Sequence, residues 1–189
     1  MNDMSKGDKV YVSGVGIVLA LVWALVWPDV KPPENTESLR FENSVIRVDA
    51  NAAIEWGVDL DALEGWGVPV ELVDHDADVV FEVGPTRSQV VPGFGTLYVA
   101  GQAQKVPNRD NWIEQCTITL SDRNRPAAKD ATAIAVHEFG HCLGMEHNDE
   151  AKSIMSTVMN SEVVPNKLFS YEPTEADRQA LSARLGATR

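Results

Sequence analysis

The chain has 189 residues, enough for one compact domain with a short appendage. Its composition, 44% hydrophobic and 23% charged, excludes a wholly disordered, collagen-like or mucin-like chain. Sixteen Lys and Arg against 28 Asp and Glu give a formal net charge of -12, so nucleic-acid phosphates are not expected partners.

The N-terminus reads as a membrane element. Val10–Trp27 (VYVSGVGIVLALVWALVW) is 18 residues without a charge, which at 1.5 Å per residue just spans a hydrocarbon core. Trp23 and Trp27 stand near its far end, where indole rings favour the interface. Lys6 and Lys9 precede it and only Lys31 follows closely, which places the N-terminus in the cytoplasm and the rest outside. A cleaved signal peptide is the rival, in which case the domain is secreted. The ALVW–Pro28 end lacks the small residues of a processing site. The chain thus divides into a cytoplasmic N-terminus (1–9), a transmembrane signal anchor (10–28), a proline-containing linker (29–40) and a working domain (41–189).

Residues 29–82 hold 14 acidic and 3 basic side chains, a net of -11, so nearly the whole charge imbalance lies there. Such a run reads first as a solvated face. Asp59 with Asp61, and Asp74 with Asp76 and Asp78, could also offer oxygen ligands to Ca²⁺, although neither cluster fits an EF-hand loop.

Within the working domain, Phe41–Trp56 reads as a helix, because Val45, Val48, Ala52 and Trp56 recur at spacings of three and four. Val68–Val73 and Val79–Val83 read as strands, and Arg87–Gly95 as a loop punctuated by glycine and proline. Leu97–Ala100 and Ile113–Leu120 read as further strands, Arg123–Lys129 as a polar turn, and Asp130–Met145 as a strong helix. A helix, a set of strands and then a helix carrying the chemistry point to an α+β layered domain.

That chemistry sits in His137–His147, which reads HEFGHCLGMEH and holds three of the chain's four histidines. His137 and His141 are one helical turn apart on one face, so both imidazoles can reach a single Zn²⁺. Glu138 can flank the metal without ligating it and take a proton from water. His147 lies six residues beyond His141, about 9 Å along a straight helix, so the chain must turn back for it to join them. Gly144 supplies that turn, because glycine adopts positive φ without penalty. Three nitrogens leave a fourth position for water, which marks a catalytic rather than a closed structural zinc site.

The pattern HExxHxxGxxH resembles the metzincin signature. Ser153-Ile154-Met155-Ser156 is similar to the methionine turn of that group, with the short spacing of its matrixin branch. The resemblance implies a zinc endopeptidase. Its expected architecture is a twisted mixed sheet, an active-site helix and a small C-terminal subdomain, with Met155 as the apolar floor under the imidazoles (Met159 is the alternative). It implies that polypeptide substrate pairs antiparallel with a strand at Leu97, Tyr98, Val99 and Ala100. Cys116–Leu120 resembles the strand that follows, and Pro173–Leu185 the final helix, with Thr174 and Asp177 approximating a capping box. Leu143 with Val163 or Val164 would line the P1′ pocket. Thr157 and Ser156 stand where related families have tyrosine and proline, and His75, with no companion histidine left over, reads as surface.

Cys116 and Cys142 could form a disulfide that staples the sheet to the active-site helix, or remain buried free thiols. The expected reaction is peptide-bond hydrolysis, with Glu138 as general base and then general acid. The competing readings are a catalytically silent membrane-anchored zinc-binding module, an anchored protein whose zinc is structural, and a hydrolase of non-peptide substrates.

Overall fold

The computed structural model describes residues 41, 44–85, 88–91, 95–98, 100–107, 112–122, 127–148, 150, 152–156 and 172–186. In chain order these form strand β1 (Ile46–Asp49), helix α1 (Asn51–Trp56), a 3₁₀ helix (Leu60–Trp66) and strands β2 (Val70–Leu72), β3 (Val79–Gly84), β4 (Ser88–Val91), β5 (Gly95–Tyr98), β6 (Gly101–Pro107) and β7 (Ile113–Ser121). Helices α2 (Ala128–Cys142) and α3 (Glu175–Gly186) complete the order.

Five strands make one mixed sheet in the order β2-β1-β3-β7-β6. The first four are mutually parallel, while β6 runs antiparallel to β7 and is an edge of the sheet. A layer of helices lies against this sheet. α2 packs on β6 and β7 and also on the 3₁₀ helix, and its Ala131, Ala135, Val136 and Phe139 are fully buried. Leu63 and Trp66 of the 3₁₀ helix join the same core, and the Trp66 indole N–H donates to the Val136 carbonyl at 3.0 Å. Burying side chains as large as Phe139 contributes roughly 1.5–3 kcal/mol each. Cys116 on β7 is bonded to Cys142 at the end of α2, with their Cα atoms 5.7 Å apart, so the helix is stapled to the sheet.

The expected strands at Val68–Val73, Val79–Val83 and Ile113–Leu120 correspond to β2, β3 and β7, and the helix expected over Asp130–Met145 to α2. The capping box forms: the Thr174 N–H donates to the Asp177 carboxylate at 2.8 Å, and the Asp177 N–H donates to Thr174 Oγ1 at 3.2 Å.

Two readings need correction. Phe41–Trp56 is not one helix. Ile46 and Val48 alternate inward against half-buried Arg47 and Asp49 as β1, and the helix starts only at Asn51. The three-and-four spacing there coincided with a period of two, and parallel pairing with β2 and β3 decided between them. Arg87–Gly95 is not all loop either, because β4 begins at Ser88 and pairs antiparallel with β5 in a separate two-stranded sheet.

The expected membrane span at 10–28 lies outside the described residues. Among the described residues no helix is long and apolar enough to cross a membrane.

Candidate metal centre

α2 delivers His137 and His141, and the turn after it returns His147 to the same point. Gly144 takes φ +90°, the left-handed conformation the reversal requires. The Nε2 atoms of His137, His141 and His147 then lie 3.1–3.2 Å from one another. Ligand nitrogens set tetrahedrally about one zinc at ~2.0–2.1 Å are roughly 3.3 Å apart, so the spacing suits a single small ion.

The outer nitrogens show why a cation belongs there. His137 Nδ1–H donates to the Ile154 carbonyl at 2.6 Å, and His141 Nδ1–H donates to the Met145 carbonyl at 2.8 Å. A carbonyl can only accept, so each ring carries its proton on Nδ1. In the neutral rings both Nε2 atoms are bare lone pairs, and they face each other at 3.2 Å. Two acceptors at that distance repel unless a positive ion lies among them. Burial first, and then the neighbouring imidazoles, push the His141 pKa down to about 3. Burial pushes His137 down to about 4 against its hydrogen bond to Ile154. Protonation is therefore the disfavoured answer near neutrality, and the donor set suits Zn²⁺.

Glu138 is buried beside this triad. Burial raises its carboxyl pKa to about 7, opposed by a hydrogen bond from the Ala103 N–H on β6. Met155 is fully buried beneath α2, and its sulfur lies 2.7 Å from where a Cβ on Gly140 would stand. Trp66 crowds the same point at 2.4 Å, so indole and sulfur can both close on the helix there only because residue 140 has no side chain.

The support behind the ligands comes from residues with no metal-site motif of their own. Asp177, at the start of α3, is buried and accepts from the Ser153 hydroxyl, the Ile154 N–H at 3.3 Å and both Thr174 donors at 2.8 Å. The Ile154 peptide so held presents its carbonyl to His137. Ser153 Oγ accepts in turn from the Met155 N–H at 2.9 Å and from the Asn148 side-chain amide at 2.8 Å, next to His147. Only the Thr174/Asp177 capping pattern could have flagged this region, and it marks a helix start rather than a site.

The expected substrate strand is displaced along the chain. Leu97 and Tyr98 belong to β5 in the two-stranded sheet, Val99 lies outside the described residues, and Ala100 lies between strands. The edge strand against α2 is β6, four residues further on than expected, and it is Ala103 that meets Glu138. Leu143 is buried, while Met159, Val163, Val164 and Thr157 lie outside the described residues. His75 is exposed. The acidic clusters do not gather into a ligand set. Asp78 is bonded to Arg47 at 3.0 Å and Asp59 accepts from the Asp61 N–H, and among the described residues the histidine triad is the group of three or more metal-capable side chains that converges.

No curated protein matches the sequence significantly. Among solved structures the chain is similar to archaemetzincin from Methanopyrus kandleri, at 14% identity over 82% of this chain and 99% of that one, with a TM-score of 0.47. The model of the matrixin peptidase family matches residues 38–183, well over half of the sequence. On that match the chain belongs to the matrixin family of zinc metalloproteases.

Proposed function

We propose that the protein is an endopeptidase that cleaves extended polypeptides with a water molecule as nucleophile, and that it works outside the cytoplasm. The observation that carries the reading is the meeting of three imidazole Nε2 atoms beside a buried carboxyl group. His137, His141 and His147 would hold the zinc. When bound, zinc acts as a Lewis acid toward the scissile carbonyl and makes water a stronger acid.

The remaining work falls to the chain's own groups. The open edge of β6 offers main-chain donors and acceptors to a substrate strand running antiparallel to it. Glu138, held by the Ala103 N–H, takes the proton from the attacking water and hands it to the departing amine nitrogen. A carboxyl whose affinity for protons is raised by burial is suited to both halves of that transfer. A silent binding module would have no use for such a group at its centre.

The Cys116–Cys142 bond supports an oxidising compartment. The uncharged stretch at 10–28 supports a membrane anchor holding the domain there.

The test is zinc analysis paired with casein cleavage, on the intact protein and on Glu138→Ala. The variant should keep its zinc and lose about 10²–10⁴-fold in rate, and a chelator should silence the wild type. Full activity in Glu138→Ala would overturn the assignment of the base, and absence of zinc from an active protein would overturn the metal.

A further inference from the structure

β6 carries more than main-chain groups. Its alternation sets Gly101, Ala103 and Lys105 on one face. A Cβ on Gly101 would stand 2.6 Å from Ile134 and 2.9 Å from Glu138, so that face looks onto α2 and the centre. Lys105 is the register partner of Cys116, and Cys116 is bonded to Cys142 of α2, which places Lys105 on the same side. Its ammonium lies within electrostatic reach of His141, Glu146 and Arg184.

Arg184 reaches this corner from α3. Its guanidinium lies over the turn at Gly144, with Nε 2.7 Å and Nη2 3.0 Å from the missing Cβ position. Lys105 and Arg184 thus both stand near the end of α2, and Glu146 is the carboxylate within electrostatic reach of Lys105, in a chain whose net charge is -12. Lys105 is half-buried, and among the described residues it makes no hydrogen bond or ion pair. Burial lowers its pKa more than Glu146 raises it, and Arg184 lowers it again. A partly desolvated cation of this kind is stabilised by an incoming anion more than a solvated one is.

We propose that Lys105, reinforced by Arg184, forms a subsite for a carboxylate side chain, so that the enzyme selects substrates with Asp or Glu on the N-terminal side of the scissile bond. This rests on the endopeptidase reading and on antiparallel pairing with β6. With Glu138 anchored at Ala103, a strand running against β6 places its earlier residues beside the later residues of β6. The substrate residue opposite Lys105 is therefore two positions before the one opposite Ala103, and it shares the face of Lys105.

The experiment takes one neutral peptide that the protein cleaves and moves a single Glu, Ala or Lys through each position on both sides of the cut, reading kcat/KM. At one N-terminal-side position Glu should exceed Ala about tenfold, with Lys poorer still. In Lys105→Gln the Glu-to-Ala ratio at that position should fall to near one. In Lys105→Glu the order should invert in favour of Lys, and Lys105→Arg should restore the preference for Glu, with zinc content equal in all variants. Equal rates for Glu and Ala, a preference confined to the C-terminal side, or one that survives in Lys105→Gln would each overturn the subsite while cleavage of the neutral parent upholds the protease. Failure of every peptide and of casein would instead overturn the proposed function itself.

Discussion

Two stretches of the chain meet at the centre, and they are built differently. The segment from His137 to Met155 makes its metal site from neighbours in sequence: one turn of helix, one left-handed glycine, and a return loop whose carbonyls at Met145 and Ile154 orient the rings. The segment from Val79 to Ser121 makes the substrate edge from strands that find one another only in the folded sheet, β3 on β7 and β6 on β7. The metal end is thus fixed by helical pitch, while the substrate end depends on long-range pairing. One covalent bond, from Cys116 of the sheet to Cys142 beside His141, joins them in addition to the packing of α2 on β6 and the Ala103–Glu138 hydrogen bond.

Cutting that link is the strongest way to separate the two regions. The bond closes a loop over a sequence separation of 26, for which chain entropy gives about 3.5 kcal/mol of stabilisation. The Cys116→Ser, Cys142→Ser double variant should lose that much in denaturant unfolding. If its zinc affinity stays unchanged while peptide cleavage falls, the metal end is self-contained as the comparison holds.

A smaller disturbance can be placed inside the metal end alone. Gly140→Ala forces a methyl between Trp66 and Met155, and overpacking of this kind costs about 1–3 kcal/mol. Thermal unfolding should register that loss, and zinc affinity should fall with it because Met155 must move. Unchanged zinc affinity would show that the methionine floor is not coupled to the ligands.

The smallest effect concerns the reach of α3 into the centre. Burial opposes ionisation of Asp177, but its hydrogen bonds from Ser153, Thr174 and Ile154 outweigh burial and hold its pKa below the usual value. The sign follows from linkage. The stabilisation is fully present above the unfolded aspartate value of about 3.9, and it is lost as pH falls through the lower folded value. Asp177→Asn should therefore be less stable than wild type at neutral pH by about 1 kcal/mol. The gap between the two should close in acid. A gap of constant size would mean that shape rather than charge holds the Ile154 peptide.

The same contrast explains what could be read from the sequence alone. The spacing of His137, His141 and His147 around Gly144 translates directly into geometry, because a helix has one pitch and glycine one special freedom. β6 could not be read that way. Its face toward α2 carries Gly101 and Ala103 because Ile134 and Glu138 approach so closely, and that closeness removes the large apolar residues that would have announced a strand. The apolar residues that signal a strand stand instead at Leu97–Ala100. β1 is obscured in the opposite manner, because Val48 belongs both to the three-and-four series and to the inward pair Ile46 and Val48. The Asp177 network stayed hidden because residues 24 and 23 positions apart in sequence, Ser153 and Ile154, meet it only once the last helix has docked.

The free side of β6 has a further consequence for the protein in concentrated solution. A row of edge amides, of which Ala103 already donates to Glu138, would welcome another copy of itself as readily as a foreign strand, and would seed aggregates. Here the row is short, it carries the charge of Lys105, its pairing slips between Val106 and Pro107, and it ends on a proline that has no amide hydrogen to give. Two copies aligned edge to edge would have to bring like charges together around a break in register. A passing peptide with a negative side chain meets no such obstacle.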